Sequence, residues 1–124
     1  MIERVLLVRA GADRFGIPLS LSLGVVDAQV TPLPCTAQEQ AGLLLHEGSL
    51  FPVFDPAPLL ELHSPLLTGA IAVLLEVAGE PLALLCDGVE GTAPLDPQTG
   101  LTEGGLAPID LPAAFPELSA GGGR

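Results

Sequence analysis

Thirteen prolines and fifteen glycines interrupt the 124 residues so often that no helical periodicity can run beyond a few turns. A chain punctuated in this way is built from short strands and tight turns, and the expected fold class is mainly β. At this length one domain is expected, and folding buries roughly two thirds of the surface that the unfolded chain exposes.

Two segments read as hairpins. Residues 4–9 favour a strand, 10–13 a turn, and 14–18 the returning strand. Farther on, residues 71–77, the turn at 78–80, and residues 82–86 repeat the pattern, with strands apolar on both faces as in a closed barrel. Short helices are predicted between them. Leu19, Leu23 and Val26 share one face of a helix over 19–26, although Gly24 weakens it. Thr36 and Glu39 have capping-box spacing for a helix over 36–45. Asp55 and Pro56 supply a cap and a first-turn proline for a helix over 56–62.

Residues 50–62 and 106–118 align without gaps and match at six of thirteen positions, among them Pro52 with Pro108 and Pro56 with Pro112. Each copy follows a hairpin. The repeat therefore reads as hairpin, connection, strand and short helix, occurring twice, which predicts two small barrels sharing one core. Residues 1–118 are expected to form that domain, and 119–124 a flexible Gly-rich tail.

The charge pattern excludes whole classes of partner. The net charge is -11, Lys is absent, and the four Arg are Arg4, Arg9, Arg14 and Arg124. Between residues 15 and 123 every charged residue is a carboxylate. Such a surface cannot replace the counterions of nucleic acid or of an anionic membrane, so neither is an expected partner, whereas a basic protein surface is. The N-terminal apolar stretch is too short for a signal peptide, and no apolar run approaches the ~20 residues of a membrane span, so a cytoplasmic location is expected.

No catalytic constellation emerges, and neither a cofactor nor a metal is expected. His46 and His63 lack further ligands at metal spacing, with His46-Glu47 the nearest approach to a site. Asp87 with Glu90, and Asp55 with Glu61, sit where turns or caps are expected rather than as hydrolase dyads. Cys86 lies in an apolar run with no base nearby, and a Cys35–Cys86 disulfide is not expected in a reducing compartment. No glycine-rich phosphate loop joins a strand to a helix.

Three motifs together carry a family resemblance. Phe15-Gly16-Ile17-Pro18 closes the first hairpin with an aromatic-glycine-aliphatic step. Gly42 is followed by aliphatics, a loop at His46-Glu47-Gly48, and a strand reading Pro52-Val53-Phe54-Asp55. Later, Leu84-Leu85-Cys86 leads into Asp87-Gly88-Val89. Over nearly its whole length the chain resembles the CheW-like coupling domain of bacterial chemosensory systems. The resemblance implies two SH3-like β-barrel subdomains with short helices. It also implies a non-enzymatic adaptor that couples a methyl-accepting chemoreceptor to a CheA-like histidine kinase or to another coupling protein. The family's contact positions fall on Gly42, Leu45, His46, Glu47 and Gly48, near the groove between the barrels.

The departures from the family pattern are specific. Glu47 stands where the family has Arg, the carboxylate of the first helix falls on Gly24, and the Pro and hydrophobic pair before Gly42 become Ala37 and Glu39-Gln40. The segment between Asp96 and Leu106 is short and lacks a strand, so the second barrel is expected to be trimmed, as in the short FrzB-type couplers of gliding-motility systems. Receptor binding with weakened kinase binding is the expected consequence. The alternative from another class is a regulatory domain binding a small apolar molecule between the barrels. The scarcity of convergent polar anchors disfavours it.

Overall fold

The structure, a computed structural model, describes residues 3–32, 40–62 and 64–114. Cys35, His63, the proposed cap at Thr36 and Glu39, and the tail at 119–124 lie outside the described residues.

Both hairpins form where the sequence places them. Strands β1 (Arg4–Ala10) and β2 (Asp13–Pro18) are antiparallel around Gly11-Ala12. A single turn of 3-10 helix over Leu19–Leu21 leads into β3 (Ser22–Asp27). The chain returns as β4 (Gln40–His46) and β5 (Ser49–Phe54), followed by helix α1 (Pro56–Leu59). The second hairpin is β6 (Ile71–Val77) and β7 (Glu80–Cys86), then β8 (Gly88–Pro94) and helix α2 (Leu111–Ala114).

Two helices expected from the sequence are replaced by strands. Over 19–26 only the 3-10 turn is helical. From Ser22 the chain alternates half-buried and exposed residues, a period of two that suits an edge strand, and Gly24 sits at a left-handed φ of 150° that a helix cannot contain. Over 36–45, the described part from residue 40 onward is β4, because Leu44 faces a core while Leu45 faces solvent. The third helix begins as expected: Asp55 Oδ1 accepts from the Ala57 amide at 2.9 Å, with Pro56 in the first turn. It stops after one turn, at Leu60, and Glu61 turns left-handed at φ 53°. Strand β8, read from sequence as a turn around Asp87 and Glu90, is a correction in the other direction.

The strands assemble into two sheets, ordered β2-β1-β8 and β3-β6-β7-β5-β4. The element order is hairpin, strand, strand, strand, helix, then hairpin, strand and helix, so the repeat is present. The strands downstream of each hairpin, however, pair with the other hairpin: β3 lies on β6, β5 runs parallel to β7, and β8 lies on β1. Pro108 likewise bridges Gly16 of β2 in parallel, and Ile109 donates to the Gly16 carbonyl at 2.8 Å. The first hairpin and the Pro52-Val53-Phe54-Asp55 strand therefore belong to different lobes, not to one barrel as chain order suggests. The structural repeat is also shifted by one residue from the gapless alignment, because Asp110, not Leu111, is the counterpart of Asp55 and caps α2 through Ala113 N at 3.1 Å.

One core joins the lobes. Leu6, Val8, Phe15 and Ile17 of the first hairpin meet Val73, Leu75, Leu82 and Leu84 of the second, with Leu111 of α2 buried among them. A second core fills the five-stranded lobe with Leu44, Phe51, Val53, Ala72, Leu74 and Ala83. Strands β6 and β7 serve both cores, which is why they are apolar on both faces.

Candidate functional site

The expected contact residues fall on the β4–β5 hairpin, at the outer edge of the larger sheet. Register pairs Leu43 with Pro52, Leu45 with Leu50 and His46 with Ser49, leaving Glu47-Gly48 as a two-residue turn. Both turn residues are left-handed, at φ 49° and 81°, the geometry in which a two-residue turn matches the twist of its strands. Glycine accepts that conformation freely and glutamate does not. The turn thus holds the Glu47 side chain out at the tip, 85% exposed. The His46 imidazole lies 3.9 Å from the Glu47 carboxylate, beyond hydrogen-bond length and an ion pair only when protonated.

Beside this polar tip lies an apolar surface. Leu45 and Leu50 are a cross-strand pair, 67% and 57% exposed, on the face opposite Leu44 and Phe51. Leu50 was not singled out from the sequence. The signal was present in the Pro52-Val53 strand and the tight turn, which set the register, but reading 36–45 as helix hid the pairing. Gly42 sits apart from the tip and is buried. A Cβ there would collide with the Thr31 carbonyl, since Thr31 crosses β4 at this point and exchanges hydrogen bonds of 2.8 and 2.9 Å with Leu43. Of the five expected residues, the structure brings four together and gives the fifth a supporting position.

The groups weighed for catalysis are otherwise engaged. The Asp87 carboxylate accepts from the amides of Gly11, Leu67, Thr68 and Gly69 at 2.6–2.9 Å. It thereby ties the β1–β2 turn to the loop before β6. Burial alone would raise its pKa, but these donors outweigh burial and hold the carboxyl well below the usual carboxylate range. Glu90, its imagined dyad partner, instead meets Arg14 Nε at 3.3 Å. Cys86 is a buried free thiol, which burial pushes up to about 11, so it is a poor nucleophile. Among the described residues no group of three or more His, Cys, Asp or Glu could hold a metal, and no helix is long and apolar enough to cross a membrane.

Comparison with known proteins places this architecture. No curated protein matches the chain. Among solved structures, the scaffolding protein TtCheW from Thermoanaerobacter tengcongensis is similar with a TM-score of 0.72 at 20% sequence identity, over 80% of this chain and 69% of that one. The likeness establishes the fold. The family model for the CheW-like domain matches residues 4–102, a span that takes in both hairpins, the β4–β5 tip and Asp87. The chain belongs to the CheW-like domain family.

Proposed function

We propose that this protein is a non-enzymatic coupling protein of a chemosensory pathway, acting in the cytoplasm, and that it docks on a methyl-accepting chemoreceptor through the β4–β5 tip. The observation that carries the reading is the exposed Leu45/Leu50 pair beside a left-handed Glu47-Gly48 turn, and the resemblance supports it by placing family contact positions on Leu45, His46, Glu47 and Gly48. Leu45 and Leu50 supply apolar area, Glu47 and His46 set the charge, and Gly42 holds the strand that carries them. A negative tip selects a receptor surface that is basic or at least not acidic. Glu47→Arg tests this. It is expected to weaken receptor binding roughly tenfold at low salt, mainly through slower association, because an exposed charge steers more than it holds. Unchanged affinity at low salt would place the position outside the interface.

The same reading has the protein bind a CheA-like kinase, or another coupling protein, more weakly than the receptor. The reason is the trimmed lobe: a ring of alternating partners needs two competent faces on every member. Replacing residues 97–105 with the longer segment of a full-length coupling protein is expected to create kinase binding, read by calorimetry. A native chain that already binds kinase as tightly as receptor would refute the weakened coupling.

A further inference from the structure

The two lobes can be matched strand for strand, and the match locates a gap. The order β8-β1-β2 with Pro108 corresponds to β3-β6-β7 with β5, including the parallel step in each. In the larger lobe β4 lies beyond β5, and Thr31, just past β3, pairs with it to close the wall. In the smaller lobe the counterpart of β4 would lie between residues 102–106 and β8 with its continuation. No strand is there. Residues 96–106 instead form two hydrogen-bonded turns, with Gly100 N donating to the Asp96 carbonyl at 2.7 Å and Gly105 N to the Thr102 carbonyl at 2.9 Å.

An opening stands at that place. A cavity of about 230 Å³ has Leu7 of β1, Ala93 of β8 and Leu106 along it, with Arg14, Glu90 and Glu103 also lining it. An open groove of about 550 Å³ continues past Leu95, Asp96 and Leu101, sharing Thr102 and Glu103 with the first. Among the described residues, the strand beside it, β8, is a sheet edge. Its charges are carboxylates apart from Arg14, which is already paired with Glu90.

We infer that this slot is a strand-acceptor site, taking an extended segment of a partner protein that adds to the β8 edge and sets an apolar side chain among Leu7, Ala93 and Leu106. Backbone pairing along a free edge supplies affinity, and the apolar slot supplies register. The segment carries Lys or Arg, to meet Glu103 and Asp96. A second copy of this chain is disfavoured as the donor by its own charge: the net of -11 makes copies repel, and no Lys or Arg lies between residues 15 and 123.

The test is titration of the isotope-labelled full chain with an acetylated, amidated nonapeptide alternating Lys with Val and Leu. Two control peptides carry Glu in place of Lys, or N-methyl groups on alternate amides. The Lys peptide is expected to shift the amides of β8 and of 102–106, and to bind at least tenfold more tightly than either control. Ala93→Phe, which fills the slot, is expected to abolish binding at an unchanged thermal midpoint. Should that variant not fold, Asp96→Asn with Glu103→Gln is expected to cut Lys-peptide affinity by tenfold. Equal binding of the N-methylated peptide, shifts confined to other strands, or no binding of the Lys peptide would overturn the proposal. Glu47→Arg, on the other sheet, is expected to leave peptide binding intact, so failure here and failure of the receptor reading are separate results.

Discussion

The five-stranded and three-stranded lobes start from equivalent hairpins and end differently. In the larger, β4 and the Thr31 bridge close the wall around Leu44, Phe51 and Val53. In the smaller, two turns replace the closing strand, and Leu7 faces an opening instead of a core. What the smaller lobe lacks in closure it has in its other face, which is buried in the core it shares with its neighbour.

Side-chain deletion inside each lobe should expose this asymmetry most strongly. Leu44→Ala is expected to cost about 3 kcal/mol in urea denaturation, since Leu44 is enclosed, and Leu7→Ala about 1 kcal/mol, since water already reaches it. Equal costs would break the comparison.

The closure itself can be isolated with two glycines of nearly the same φ. Gly42, at 151°, lies under Thr31, whereas a Cβ at Gly24, at 150°, would meet nothing. Gly42→Ala is expected to cost about 2–3 kcal/mol and Gly24→Ala about 1 kcal/mol, the difference measuring the Thr31 closure. Similar midpoints for the two variants would show that the closure contributes nothing.

Asp87 binds the first hairpin to the second, and its removal acts on the joint between the lobes. Asp87→Ala is expected to cost about 2 kcal/mol, because four amides lose a charged acceptor while water reaches some of them. Since the folded carboxyl is held below the ordinary range, the unfolded chain takes up its proton first as the pH falls. The contribution is complete above about pH 4 and is lost progressively below it. Asp87→Asn should therefore flatten the acid limb of a stability–pH profile. An unchanged limb would contradict the assignment.

The smallest effect concerns the shared core. In a Cys35→Ala background, Cys86 is expected to resist a thiol reagent at pH 8 until the protein unfolds, and to react at the unfolding rate in denaturant. Fast labelling of the native protein would mean that the core opens locally at β7.

Local chemistry was legible in the sequence wherever a few adjacent residues sufficed. Gly11-Ala12 and Ala78-Gly79 marked the hairpins, Asp55-Pro56 marked a helix start, and the absence of a strand between residues 96 and 106 could be read from its turn formers. The candidate tip was legible through its motif, but its apolar half was not, because Leu50 joins Leu45 only across a strand pair.

By itself, then, the sequence determined that the protein is mainly β, that a hairpin-to-helix unit occurs twice, and that its surface is acidic. Only the tertiary structure decided that each hairpin takes its neighbouring strand from the other repeat, that residues 22–27 and 40–46 are strands, and that Asp87 is a clamp. The physical reason is the same in each case. Periodicity records which side chains require burial, whereas the partner that buries them, or the amides that surround a carboxylate, come from residues distant in the chain and are chosen only when the lobes close on one another.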